Sequence, residues 1–87
     1  MKFGYIAYGK MAPKWLQATS EERKKEMERV KADAEKAGFK MMYWGHPYGV
    51  SENIVVIYQS EKGLDTYFSL SLNNIYSDTR TDLVVIP

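Results

Sequence analysis

The chain has 87 residues, of which 45% are hydrophobic, 26% charged and 14% aromatic, with a formal net charge of +1 and no cysteine. That length is one domain, expected to span 1–87, and the composition excludes a disordered chain. The absence of cysteine excludes a disulfide framework and a thiolate metal site. The charge is uneven, since residues 1–40 carry ten Lys/Arg against six Asp/Glu and residues 41–87 carry two against five. Near-neutral overall charge supplies no field to draw nucleic acid or an anionic membrane. No apolar run is long enough to span a bilayer. The start, MKFGYIAYGK, reads as a strand rather than a signal peptide. A cytoplasmic protein is expected.

Residues 2–9 alternate loosely and are rich in Phe, Tyr and Ile, which predicts a first strand. Residues 10–18 form a connection that holds Pro13 and Trp15. Thr19 and Glu22 then make a capping-box pattern, in which each side chain satisfies an orphan backbone N–H of the other residue. Met27, Val30, Ala34 and Ala37 recur at helical spacing behind it. Pairs such as Glu21/Lys25, Lys24/Glu28 and Lys31/Glu35 fit its solvated side, and Gly38 supplies a left-handed stop. Residues 39–46 read as a second strand, Pro47-Tyr48-Gly49 as a turn, and residues 53–59 as a third strand. Ser60 is placed to cap a second helix whose Leu64, Tyr67, Phe68, Leu72 and Ile75 share a face. An Asp78-Thr79-Arg80 loop leads to a last strand, Leu83-Val84-Val85-Ile86.

The order β-α-β-β-α-β is that of an α+β, ferredoxin-like fold. Right-handed crossovers place both helices on one face of a four-stranded antiparallel sheet. Ile54-Val55-Val56-Ile57-Tyr58 and Leu83-Val84-Val85-Ile86 are apolar at positions facing both ways. The uncovered face then exposes several large side chains, each contributing about 1.5–3 kcal/mol when buried. That sum rivals the ~5–15 kcal/mol stability of a small domain, so a cover is expected. The simplest cover is the same face of a second copy, giving a sheet-to-sheet homodimer.

The aromatic–glycine step Trp44-Gly45, the turn Tyr48-Gly49-Val50-Ser51-Glu52-Asn53 and the apolar strand after it carry a family likeness. The chain resembles the dimeric α/β-barrel superfamily, and within it the small stand-alone members that include GYD-type domains. The resemblance implies ferredoxin-like subunits joined sheet to sheet. It also implies a range of activities: cofactor-free monooxygenases, lactone isomerases, polyketide cyclases, haem enzymes and others. Several members use an aromatic pocket between the sheet and its helices, often with a histidine.

His46 is the sole histidine, which excludes mechanisms needing two from one chain and leaves a haem-ligand role open. As the residue type suited to proton transfer near neutral pH it is a candidate acid/base, with Asn53 or Glu52 across the hairpin to fix its tautomer. Against this, His46 also suits the first position of the Pro47 turn. Trp44 shares its strand parity and either walls a pocket with Tyr5, Tyr8, Trp15 or Tyr67, or fills the core or the dimer seam. Tyr8 and Lys10 end the first strand beside the Trp15 loop, which is either a lid or a plug.

Lys24, Lys25, Arg29 and Lys31 interleave with glutamates as a solvated helix face does. The basic-aromatic strand motif of RNA-binding sheets is missing. No phosphate loop, metal-ligand spacing or cofactor fingerprint is present. Two functions remain. One is a homodimeric module that binds a ligand or partner, with a small hydrophobic or aromatic molecule as the ligand. The other is a cofactor-independent enzyme of monooxygenase, isomerase or cyclase type, with His46 as acid/base and Tyr8, Trp15, Trp44, Asn53 and Tyr67 around it. The module leads, because only one side chain titrates near neutral pH. No cofactor, metal, nucleic acid or membrane is expected.

Overall fold

Strand β1, Lys2–Met11, alternates along its middle: Tyr5, Ala7 and Gly9 are buried, and Ile6 and Tyr8 between them are half-buried. This computed structural model describes residues 1–68 and 76–87. The connection after β1 contains a helical turn, α1, Pro13–Leu16, entered through a proline whose missing N–H costs nothing there. Helix α2, Ser20–Lys36, begins with the expected capping box. The Glu22 N–H donates to Thr19 Oγ1 at 3.2 Å, and the Thr19 N–H donates to Glu22 Oε1 at 3.0 Å. Met27, Val30 and Ala34 are the buried stripe of α2. Its ion pairs differ from those expected: Arg29 reaches both Glu26 and Asp33, at 3.1 Å each. A planar guanidinium fork spans two carboxylates where a lysine ammonium meets one. After Ala37 the chain turns through Gly38 at φ 90°, the left-handed stop.

Strands β2, Lys40–Gly45, and β3, Ile54–Ser60, form the hairpin, and β4, Tyr76–Ile86, returns along β1. The sheet order is β2-β3-β1-β4, antiparallel throughout, the ferredoxin-like arrangement. Helix α3 is Leu64–Phe68. Leu72 and Ile75, expected on its face, lie outside the described residues.

Two expected assignments change. Ser60 ends β3 instead of capping α3, because its hydroxyl is already used: it donates to the Gly38 carbonyl at 2.6 Å and accepts from the Lys62 N–H at 3.0 Å. Asp78-Thr79-Arg80 is strand rather than loop, since main-chain pairing with β1 continues to Met11–Tyr76 past a register shift at Tyr8/Gly9. Propensity misses it because main-chain pairing with a distant strand holds those residues extended.

The core lies between sheet and helices and includes Tyr5, Ile54, Val56 and Tyr58 of the sheet with Val30 and Phe39. The other face of β3 carries Val55, Ile57 and Gln59, all half-buried. Rows run straight across that face. Asp82, Ile6, Ile57 and Tyr43 form one, and Arg80, Tyr8, Val55 and Gly45 the next. Tyr43 is 67% exposed there and Val84 46%. Among the described residues no helix is long and apolar enough to cross a membrane.

The capping box gives a stability prediction. Thr19→Ala should lower stability by about 1 kcal/mol, seen as a melting temperature several degrees lower, while Thr19→Ser should retain most of it. Hydrogen bonds from the Thr19 main chain and side chain hold the Glu22 carboxyl below its usual range. A depressed carboxyl adds stability at neutral pH that is lost as the pH falls through the carboxylate range. Glu22→Gln should therefore flatten the acid side of the stability–pH curve, measured by urea unfolding at pH 3 to 7.

Candidate functional site

The residues picked out by sequence converge at the end of β2. A β-bulge between Met41 and Tyr43 inserts Met42, so Met41 and Trp44 both face the helices although they are three apart. Trp44 meets Trp15 edge-on at 6.0 Å between centroids, and His46 edge-on at 6.1 Å on its other side. The three rings run from the core to the surface: Trp15 is buried, Trp44 half-buried and His46 exposed.

Arg23 of α2 positions Trp15. Its Nε donates to the Trp15 carbonyl at 3.1 Å, which also accepts from the Ala18 N–H, and its Nη2 to the Leu16 carbonyl at 3.2 Å at the end of α1. The same guanidinium lies 5.7 Å from the centre of the Trp15 ring. The Trp15 indole N–H has no hydrogen-bond partner among the described residues. Sequence reading missed Arg23 because it looks like one more charge on a charged helix.

His46 Nδ1 lies 2.9 Å from the main-chain carbonyl oxygen of Asn53. A carbonyl only accepts, so in the neutral ring Nδ1 carries the hydrogen and Nε2 the lone pair, facing outward. Asn53 is itself tied to β1: its N–H donates to the Gly9 carbonyl at 3.1 Å, and its Oδ1 accepts from the Met11 N–H at 3.0 Å. The tautomer is thus set from Asn53, as the hairpin geometry suggested, through the backbone rather than a side chain.

The remaining candidates do not join this cluster. Tyr67 stacks on Tyr5 at 4.6 Å and 5°, with Phe39 edge-on at 5.8 Å and Tyr58 at 6.3 Å. Tyr5 also donates its hydroxyl to the Lys62 carbonyl at 2.6 Å, and burial pushes its phenol above the ordinary value. These rings fill the space between sheet and helices at that position. Tyr8 points to the opposite face, where Arg80 sits 4.0 Å above its ring centre. The six candidates therefore occupy three places: an aromatic ladder at the β2 end, the core, and the far sheet face. Strand parity already separates Tyr8 from Tyr5, which was the available signal.

Grooves open to solvent among the described residues include two beside the ladder's elements. One of about 230 Å³ lies between α2 and β2 and includes Met27, Met41, Tyr43 and Trp44 in its walls. Another of about 310 Å³ lies at the α1–α2 corner beside Trp15, Glu22 and Lys25. His46 lines neither. Among the described residues no group of three His, Asp or Glu side chains is placed to hold a metal ion. The arrangement offers one outward imidazole nitrogen beside an aromatic edge.

No family model matches the chain, and no curated protein matches it. Among solved structures, a mutant chlorite dismutase from Candidatus Nitrospira defluvii superposes with a TM-score of 0.57 at 12% identity. The match covers 94% of this chain and 38% of that one, so this chain spans little more than a third of that protein's length. At this identity the likeness shows the ferredoxin-like fold alone.

Two outcomes follow from the Asn53 clamp. Long-range ¹⁵N–¹H NMR on the neutral imidazole should report the Nδ1–H tautomer; a dominant Nε2–H signal would contradict the clamp. Asn53→Ala should leave that tautomer unchanged, because the carbonyl remains. It should still cost about 0.5 kcal/mol in urea unfolding, because the exposed Met11 N–H exchanges Asn53 Oδ1 for water.

Proposed function

We propose that this protein is a self-associating α+β module whose open sheet face binds a second copy, with ligand or partner binding rather than catalysis as its role. The observation that carries the reading is the apolar centre of that face. Ile6 and Ile57 are paired across β1 and β3, with Tyr43, Val55, Tyr8 and Val84 around them. Contiguous apolar surface of this kind marks an interaction site on a soluble protein. The molecule measures 39 × 29 × 19 Å, so its broad face is of the size that supplies the ~800 Å² per partner of a standard interface. A second copy is the simplest occupant, because an apolar centre meets its own equivalent about a two-fold axis. The face also carries the Arg80–Asp82 pair, with Lys2, Lys10 and Lys40 toward its ends.

A second reading has one observation in its favour: the outward Nε2 of His46, fixed by the Asn53 carbonyl beside the Trp44 ring. In that reading His46 is the acid/base of a cofactor-independent enzyme acting on a small aromatic or hydrophobic substrate. Two observations support the module instead: Tyr67 packs into the core with Tyr5, Phe39 and Tyr58 rather than walling a pocket with His46, and His46 lines neither groove.

Light scattering at micromolar concentration should give twice the chain mass. Ile57→Asp should weaken association by more than tenfold and leave far-UV circular dichroism unchanged, since Ile57 faces away from the core. A monomeric mass for the unaltered protein would end this reading. The enzyme reading makes a separate demand, that small aromatic acids shift the His46 imidazole resonances; the module reading expects no shift.

A further inference from the structure

One polar group interrupts the apolar open face. Arg80 and Asp82 are two apart on β4, so both project to the side of the sheet that holds Tyr8 and Ile6, their register partners on β1. The Arg80 guanidinium lies 4.0 Å over the Tyr8 ring, and its Nε is 3.7 Å from Asp82 Oδ1. Val55 flanks Tyr8, Ile57 flanks Ile6, and Val84 continues the same side of β4. Of the other cations of the face, Lys10 follows Tyr8 on the same side of β1, and Lys2 and Lys40 stand at the far end, opposite Ile86 and Gln59. Asp82 is the one carboxylate in these rows among the described residues.

In solvent this pair does little. Both side chains are about half exposed, at 47% and 50%, and an exposed pair at this distance is weak. Covering the face changes the sign of what each partner does alone. A second copy that lays Ile6, Val55 and Ile57 against its own equivalents removes water from around Arg80 and Asp82. A lone buried guanidinium or carboxylate then opposes association strongly, whereas the two together enter as a neutral unit. The Tyr8 ring adds a flat surface on which a guanidinium, unlike an ammonium, stacks.

We propose that the Tyr8–Arg80–Asp82 group is the specificity element of the sheet face: the second copy buries it as one closed unit, and neither charge is tolerated without the other. This rests on the association proposed above, and the test separates the two. Dissociation constants would be measured by sedimentation for the unaltered protein, Arg80→Met, Asp82→Leu and the double variant. Each single change should weaken association at least tenfold, and the double change should return it to within about threefold of the original or tighter.

A dimer whose affinity ignores both single changes overturns the proposal and leaves the apolar association standing. So does a double variant that loses the product of the two single effects. A monomeric unaltered protein overturns both. Phenylglyoxal labelling of the unaltered chain gives a readout that needs no variant to fold. Arg80 should be protected at concentrations above the dissociation constant and label on dilution, while Arg23 and Arg29 label alike at both. Equal labelling of Arg80 at both concentrations would also overturn the proposal.

Discussion

Successive side chains of a strand point to opposite sides, so helices packed on one side of this sheet cover only every other residue of β1 and β3. Tyr5, Ala7, Ile54, Val56 and Tyr58 take the covered positions and are buried. Ile6, Tyr8, Val55 and Ile57 take the others and remain half-buried. The core, the placement of the aromatic residues and the unfilled face all descend from this division. It separates Tyr5 from Tyr8, three residues apart on one strand, into a filled core and an open surface.

Local departures from regular pairing then decide where chemistry is placed. The bulge at Met42 turns Trp44 toward the helices, where it meets Trp15, and leaves His46 outside at the end of the ring ladder. Arg23 fixes the Trp15 turn by capping its carbonyls, and Asn53 holds the hairpin loop to β1 while directing the His46 tautomer. The result is an end of the molecule tied together by these hydrogen bonds, with the Nε2 of His46 outward.

The two ends of the functional argument differ in kind. The His46 ladder is a set of side chains whose geometry is complete within one chain. The open face is a surface whose apolar area and embedded Arg80–Asp82 pair acquire energetic weight only when water is removed from it. A half-exposed pair stacked on a tyrosine in the middle of hydrophobic rows is a modest feature in solvent and a decisive one under a cover.

Features set within a few residues were legible in the sequence. The Thr19–Glu22 box, the Met27–Val30–Ala34 stripe, the Gly38 stop and the element order depend on neighbours at most four positions away or on simple periodicity. The same holds for an excess of apolar residues in β3 beyond what one covered face needs. What required tertiary structure was every assignment made by a distant partner. Ser60 became a strand end because Gly38 claimed its hydroxyl, and residues 78–80 became strand because β1 paired with them. Tyr67 left the candidate site for the core because Tyr5 offered it a stacking face. Arg80 came to rest on Tyr8 only through the β1–β4 register. Sequence by itself determined helix α2 and the alternation of β1 and β3, since those energies are local. Which residues meet was decided by register and by competition for hydrogen-bond acceptors and ring faces across the fold, and no spacing along the chain records that.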